Sequence, residues 1–341
     1  MENSSKPDDA TIGPHLKAHY DFQFLSAALQ FGLFDVLEKN PGTTREELAV
    51  HLGLAPQPTR ILLLGCTAMG VLRKEGDGYY NTPYIQPLSA LPDQPTATYL
   101  HRLYRAADWF CESLKENSNV GLQREIPGTA PTLYGRLAEN PELESPFQTM
   151  MGAVSHLVGE EIAGEIDLSD YRYLLDVGGG AAMNAVHLAR TWPDLEITIG
   201  DLPSVAPMAN DKVAELGLGD RVRAVGLDAF HDDFPGGHDA VLFAHFLEIW
   251  SADRVRALLA KASRALPSGG GVFVVTPYQS DDETGPARSA YLSAYFQTVA
   301  SGEGMVYTPQ EYEQWFSEAG IDPVKRALVG PDTVVLCGRK R

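Results

Sequence analysis

Apolar residues recur at helical spacing through the first half of the chain and gather into short uninterrupted runs through the second. Leu16, Tyr20, Phe24, Ala27, Ala28 and Phe31 form the stripe of an amphipathic helix within residues 14–38, which Gly32 interrupts before Leu33-Phe34-Asp35-Val36-Leu37. Thr43-Thr44-Arg45-Glu46-Glu47-Leu48 opens a second helix with a capping threonine and an acid three residues on, and Gly53 stops it. Thr59 to Met69 forms another, and Gly76-Asp77-Gly78 then makes a tight hairpin leading into Tyr79-Tyr80-Asn81. Two short helices followed by such a hairpin predict a winged helix. Arg60 is the basic residue of its second helix, so that surface suits packing rather than a DNA groove. Residues 84–165 alternate helical stretches with proline joints at Pro87, Pro92, Pro95, Pro127, Pro131, Pro141 and Pro146.

From residue 173 onward the pattern is strand and helix in turn. Leu174-Val177, Leu195-Ile199, Arg221-Val225, Ala240-Ala244 and Val272-Val275 read as buried strands, and Val334-Cys337 as a final edge strand. Helices are expected over 181–190 and 205–216 and an amphipathic one over 255–266, and Thr308-Pro309-Gln310-Glu311 caps a later one. The alternation predicts an α/β fold, a Rossmann-like doubly wound parallel sheet that binds ligands at its strands' carboxyl ends. The expected division is a disordered start over residues 1–13, a mainly helical winged-helix domain over 14–168 and the sheet domain over 169–341.

Composition narrows the choice of partner. A net charge of −18 over 341 residues opposes nucleic acid, because phosphate binding runs on Lys and Arg. No apolar run approaches the roughly 18 residues that span a bilayer. The polar start, Met1 to Asp9, lacks an apolar signal core, and a cytoplasmic protein is expected. Cys66, Cys111 and Cys337 are odd in number and far apart, which suits apolar filling rather than disulfides.

The chemistry centres on Leu174-Leu175-Asp176-Val177-Gly178-Gly179-Gly180, followed by a helix, a strand and Asp201. Glycines let the backbone approach a ligand, and an acid about 20 residues on can accept both ribose hydroxyls. Asp176 lies inside the turn, where a carboxylate repels a pyrophosphate and suits a cationic ligand. That favours S-adenosyl-L-methionine over a nicotinamide dinucleotide. Asp228-Ala229-Phe230 ends the third strand, where an acid and an aromatic can bind the adenine amino group and cover its face.

With these marks, and with Gly200-Asp201-Leu202-Pro203, Trp250-Ser251-Ala252-Asp253, Leu266-Pro267-Ser268-Gly269-Gly270 and Ala319-Gly320, the chain resembles the small-molecule O-methyltransferase family of class I S-adenosylmethionine enzymes. The resemblance runs from about residue 14 to the end. It implies a winged-helix dimerisation domain and a homodimer built through it. It also implies that Asp176 and Gly178, Gly179 and Gly180 flank the methionine portion of the cofactor. Asp201 and Leu202 would then take the ribose, and Asp228, Ala229, Phe230 and Trp250 the adenine end.

The sequence departs from that family where the reaction is run. Members usually carry His-Asp-Trp where this chain has Glu248-Ile249-Trp250, and that histidine takes the substrate's hydroxyl proton. The supporting glutamate aligns with Val306, and a further acid is replaced by Thr276. His245 lies one helical turn before Glu248, so His245 as base oriented by Glu248 could serve a phenol, or Glu248 could hold a substrate ammonium. Read as a metal pair, the two lack an evident third ligand, His231 and His238 lying in a loop, and no metal is expected. Tyr134, Phe147, Met151, His156, Tyr295, Phe296 and Met305 are expected to shape a pocket for a small aromatic substrate. The expectation is methylation of a ring carbon on a small phenolic or aminophenolic compound of secondary metabolism, such as a hydroxylated tyrosine or tryptophan derivative. Ordinary O-methylation and a cofactor-retaining relative that transfers no methyl are the alternatives.

Overall fold

The computed structural model describes residues 13–85 and 93–341. The expectation of disorder for residues 1–13 lies outside the described residues except at Gly13, as do the joints at Pro87 and Pro92. The chain divides into two compact units between His101 and Arg102.

In the first unit, helices Gly13–Gln30, Leu33–Lys39, Arg45–Leu52 and Pro56–Ala68 pack with strands β1 (Thr43–Thr44), β2 (Leu72–Glu75) and β3 (Gly78–Asn81). The strands pair antiparallel in the order β1-β3-β2, which with the preceding helices makes the expected winged helix. Thr44 and Glu47 form a reciprocal capping box that sets where the third helix starts. Leu29, Leu33, Leu37, Leu48, Leu63, Cys66 and Leu72 close the core. Other apolar side chains of the same two long helices stay outside it, among them Leu16, Tyr20, Ile61 and Leu64.

The second unit is a seven-stranded sheet, β6-β5-β4-β7-β8-β10-β9, comprising β4 (Tyr173–Val177), β5 (Glu196–Asp201), β6 (Val222–Gly226), β7 (Ala240–Ala244), β8 (Gly271–Pro277), β9 (Ile321–Val329) and β10 (Thr333–Lys340). The strands β4 to β8 are parallel, and β10 runs antiparallel to both β8 and β9. This corrects one expectation. Val334–Cys337 belongs to an interior strand, and the edge is β9, whose Asp322, Lys325 and Arg326 face water. A charged, solvated strand protects a sheet edge from pairing but carries no apolar alternation to reveal it.

Residues 102–168, expected with the N-terminal domain, pack within the second unit. Asn119 donates from Nδ2 to Pro131 O (2.8 Å) and Ala300 O (3.3 Å), tying helix Val120–Glu125 to a π-helical turn over Phe296–Ala300. The long helix Pro141–Glu165 lies along helix Met183–Thr191, where His156 Nδ1 meets His187 Nε2 at 3.0 Å. Proline joints mark helix ends in a sequence; they do not say which core buries the helices. Among the described residues no helix is long and apolar enough to cross a membrane.

Candidate active site

The carboxyl ends of β4, β5 and β7 build the site. Past Val177 the backbone turns through Gly178 (φ 75°) and Gly180 (φ 53°). A Cβ on Gly178 would stand 2.3 Å from the Phe246 ring, so the residue's identity is set by both conformation and space. Asp201 accepts hydrogen bonds from the Gly180 amide (2.8 Å) and the Leu202 amide (2.7 Å), which fix its carboxylate and leave lone pairs over. Burial, followed by the neighbouring Glu144 carboxylate, pushes Asp201 up against the pull of those two amides. Asp176 is 0% exposed, and both its carboxylate oxygens lack a partner. Burial and then the charge of Asp201 push it up to about 7. The following helix begins at Met183, not at 181, because the turn continues through Ala182, which is buried with φ 71°.

Two residues of the helix Pro141–Glu165 reach the strand ends here, Glu144 beside Asp201 and Gln148 beside Gly180, and sequence reasoning missed both. Glu144 is buried and accepts from Ser204 Oγ (2.9 Å), and Gln148 Oε1 lies 3.5 Å from where a Cβ on Gly180 would sit. An acid in the first turn of a helix reads as a complement to the helix dipole, so nothing in the local pattern singles Glu144 out.

At the end of β6, Asp228 accepts from the amides of Phe230 (2.9 Å) and His231 (3.1 Å) and pairs with His231 Nδ1 (2.9 Å). Ala229 is buried, and its carbonyl takes Lys261 Nζ at 2.7 Å. The Phe230 ring meets Trp250 edge to face at 4.6 Å, and the Arg254 guanidinium lies 4.7 Å from the Phe230 centroid while pairing with Glu303 (3.1 Å). Asp176, Gly178, Gly179, Gly180, Asp201, Leu202, Asp228, Ala229, Phe230 and Trp250 thus gather at or beyond the carboxyl ends of β4, β5, β6 and β7.

One strand over, His245 follows β7 with φ 52°, an uncommon conformation for a residue with a side chain, and its amide donates to Val275 O of β8 (2.8 Å). Glu248 sits in the 3-10 turn Leu247–Ile249. It is 2% exposed, its Oε1 is 3.5 Å from His245 Nδ1, and its Oε2 has no partner. The buried hydroxyls of Thr276 and Tyr312 make no closed hydrogen bond either. Burial and then Glu248 push Tyr312 well above the usual tyrosine value. Tyr134 stands between the two acidic centres: burial, followed by Tyr295, Glu248 and Asp201, pushes its hydroxyl well up.

A strap over residues 301–307 holds this motif from outside. Ser301 Oγ donates to Ile249 O and accepts from the amides of Glu303 and Gly304 (3.2 Å each). Tyr307 donates its hydroxyl to Trp250 O (2.8 Å), and Gly304 packs directly on the carbonyls of Glu248 and Ile249.

Of the residues expected to line a pocket, Tyr134 meets Phe147 edge to face at 6.1 Å, and Tyr295 meets Phe296 at 5.6 Å. Phe296 is buried in the sheet core, whereas Met151 and Met305 are exposed. His156 is not brought to these residues, being stacked on His187 instead. His231 and His238 bond locally, to Asp228 and to Pro235 O (2.9 Å). Among the described residues no three His, Cys, Asp or Glu side chains gather as a metal site.

A glycine turn between two acids at the carboxyl ends of a parallel sheet, with a partly exposed histidine paired to a buried glutamate one strand away, defines a nucleoside-cofactor enzyme of the group-transfer kind. Residues 106–322 match the family model of the O-methyltransferase domain and residues 14–85 that of the O-methyltransferase dimerisation domain, and the chain belongs to this S-adenosylmethionine-dependent O-methyltransferase family. It is 38% identical over 322 residues to an L-tyrosine C(3)-methyltransferase of Streptomyces lavendulae, covering 89% of this chain and 84% of that one. It is 32% identical over 311 residues to a 3-hydroxy-5-methyl-1-naphthoate 3-O-methyltransferase of Streptomyces sahachiroi, covering 89% and 86%. The solved apo structure of the S-adenosylmethionine-dependent methyltransferase SibL matches with a TM-score of 0.77 at 36% identity, covering 97% of this chain and 99% of that one.

The residues present fit that cofactor. The two unpartnered oxygens of Asp176 call for a cation, and an enclosed polar atom without a partner is rare unless a ligand completes it. Asp201, anchored by two amides, keeps acceptor capacity for hydroxyl groups.

Proposed function

We propose that the enzyme methylates a ring carbon, ortho to the hydroxyl, of a small phenolic or aminophenolic amino acid such as a hydroxylated tyrosine or 3-hydroxykynurenine. The observation that carries this reading is the buried Glu248 facing His245 across 3.5 Å beside a cluster of aromatic side chains. The likeness to an L-tyrosine C(3)-methyltransferase supports it. When bound, S-adenosylmethionine supplies a methyl group on cationic sulfur.

Asp176 and the 178–180 turn hold the methionine end, Asp201 the ribose, and Asp228 with Phe230 and Trp250 the adenine. The Glu248 carboxylate, 3.5 Å from His245 Nδ1, favours the tautomer that carries its proton on Nδ1 and leaves Nε2 unprotonated. His245 Nε2 then takes the proton of the substrate hydroxyl, raising electron density at the ortho carbon. With 34% of its side chain exposed, His245 can pass that proton to water. The net release is one proton per methyl transferred, the ring hydrogen leaving as the phenol is restored. Positioning of carbon against methyl supplies much of the remaining rate.

The protein is a homodimer in this reading, joined through the winged-helix unit, where Ile61 (51% exposed) and Leu64 (69%) leave one helix face apolar and open. The deciding experiment uses methyl-labelled cofactor with L-tyrosine and 3-hydroxykynurenine, followed by mass spectrometry and NMR. Label on a ring carbon supports the reading. Label on oxygen favours the O-methylation that the naphthoate 3-O-methyltransferase likeness also suits, and no transfer to either would leave the enzyme a different acceptor.

A further inference from the structure

Asp176 is a carboxyl group that the fold encloses and then leaves without a partner. It is 0% exposed, neither oxygen accepts a hydrogen bond, and Oδ2 lies against Gly179, 2.6 Å from where a Cβ would stand. Its ionisable neighbour is Asp201 on β5, itself beside Glu144 of the helix Pro141–Glu165 and Tyr134. Every ionisable neighbour acting on the two aspartates, among the described residues, is thus acidic or phenolic. Two carboxylates this close and this dry do not both carry charge easily. An ammonium and a sulfonium arriving together reverse that balance, since they replace the missing partner.

We propose that Asp176 holds a proton in the free enzyme and gives it up when the cofactor binds, so that donor capture is coupled to pH. The O–H bond of the carboxyl breaks, the proton goes to solvent, and the carboxylate that remains faces the ligand's positive charge. The inference rests on Asp176 facing the methionine end of the cofactor. Its pH window follows from the group's position near 7. At pH 6 about nine sites in ten are protonated, so about 0.9 proton should leave per cofactor bound, and affinity should be about five-fold tighter at pH 7 than at pH 6.

Calorimetric titration of the full-length protein at pH 6, in two buffers of different ionisation enthalpy, reads the proton count directly. The probes are S-adenosylmethionine, S-adenosylhomocysteine and 5′-methylthioadenosine. The first two carry an ammonium and should release a proton, more completely for the sulfonium. The third is uncharged at the sulfur and lacks the amino acid, and should release none. Asp176→Asn should bind the third probe as the wild type does, which certifies its fold, and should release no proton with the other two. Equal proton release from wild type and variant, or none from the wild type with S-adenosylmethionine, overturns the inference. Failure of the wild type to bind S-adenosylmethionine at all would instead overturn the placement of the cofactor.

Discussion

Gly304 is where the turn carrying Glu248 is most exposed to a single added carbon. A Cβ there would stand 2.2 Å from Ile249 O, 2.4 Å from Ile249 C and 2.5 Å from Glu248 O, all backbone atoms of the turn that carries Glu248. An ordinary carbon–oxygen contact is about 1 Å longer, and dispersion gives way to steep repulsion below it. No rotamer change relieves a clash with main chain, so in Gly304→Ala either the strap lifts or the turn shifts. Overpacking of this kind costs about 1–3 kcal/mol, or about 5 °C in melting temperature for a unit of this size. The kinetic cost is larger. If the turn shifts by about 1 Å, Glu248 loses its position on His245, and misplacement by that amount is worth about 100-fold in rate. The assay pairs thermal unfolding with label transfer to L-tyrosine or 3-hydroxykynurenine. A variant that melts earlier yet transfers methyl at the wild-type rate would show the strap yielding alone, and the idea that it positions Glu248 would be refuted.

The other expectations test separate parts of the site. Because burial raises Asp176 above its ordinary 3.8, the folded chain is penalised increasingly as pH climbs from about 4 and the penalty levels off above about 7. Ligand-free wild type should therefore lose roughly 2–3 kcal/mol more stability than Asp176→Asn between pH 5 and pH 8, and parallel pH curves for the two would refute the burial argument. Ala182 is held at φ 71°, so Ala182→Gly relieves about 1 kcal/mol of left-handed strain and loses about as much in chain entropy. Urea unfolding should find it neutral, whereas a loss of several kcal/mol would mean that packing of the methyl group dominates. Leu64→Arg, at a side chain 69% exposed, should leave the fold intact and give a monomer in light scattering where the proposed dimer is expected for the wild type. His245→Ala should lower turnover by about 100-fold or more while calorimetry finds cofactor affinity within about three-fold.

Much of the scaffold could be read because its elements are locally determined. The run Leu174-Leu175-Asp176-Val177 is buried on both faces, apolar but for Asp176, as suits an interior parallel strand, and Thr44 with Glu47 is a cap that works within four residues. The edge strand β9 could not be read in the same way, since Pro323, Lys325 and Arg326 look like loop residues until β10 pairs with them. Nor could Glu144 and Gln148, which reach Ser204 and the glycine turn only because a helix well upstream in sequence is laid across the strand ends.

The sequence spacing set His245 and Glu248 side by side, and the structure brings them within 3.5 Å through a different geometry. Three residues apart, they would face each other on an α-helix. In the structure no α-helix joins them. His245 adopts φ 52° while its amide still bonds to Val275 O, so β7 keeps its ladder to β8 as the side chain is turned out of the sheet. A 3-10 turn then brings Glu248 back beneath it. That conformation is costly for a residue with a side chain, by roughly 1 kcal/mol or more, and persists only where neighbours over-determine it. Here the neighbours are named: Val275 on one side, and the strap's Ser301 and Tyr307 on the other, bonded to the carbonyls of Ile249 and Trp250. The strap's hold on this turn runs from the hydroxyls of Ser301 and Tyr307 to main-chain carbonyls, contacts that leave no recognisable motif in the sequence.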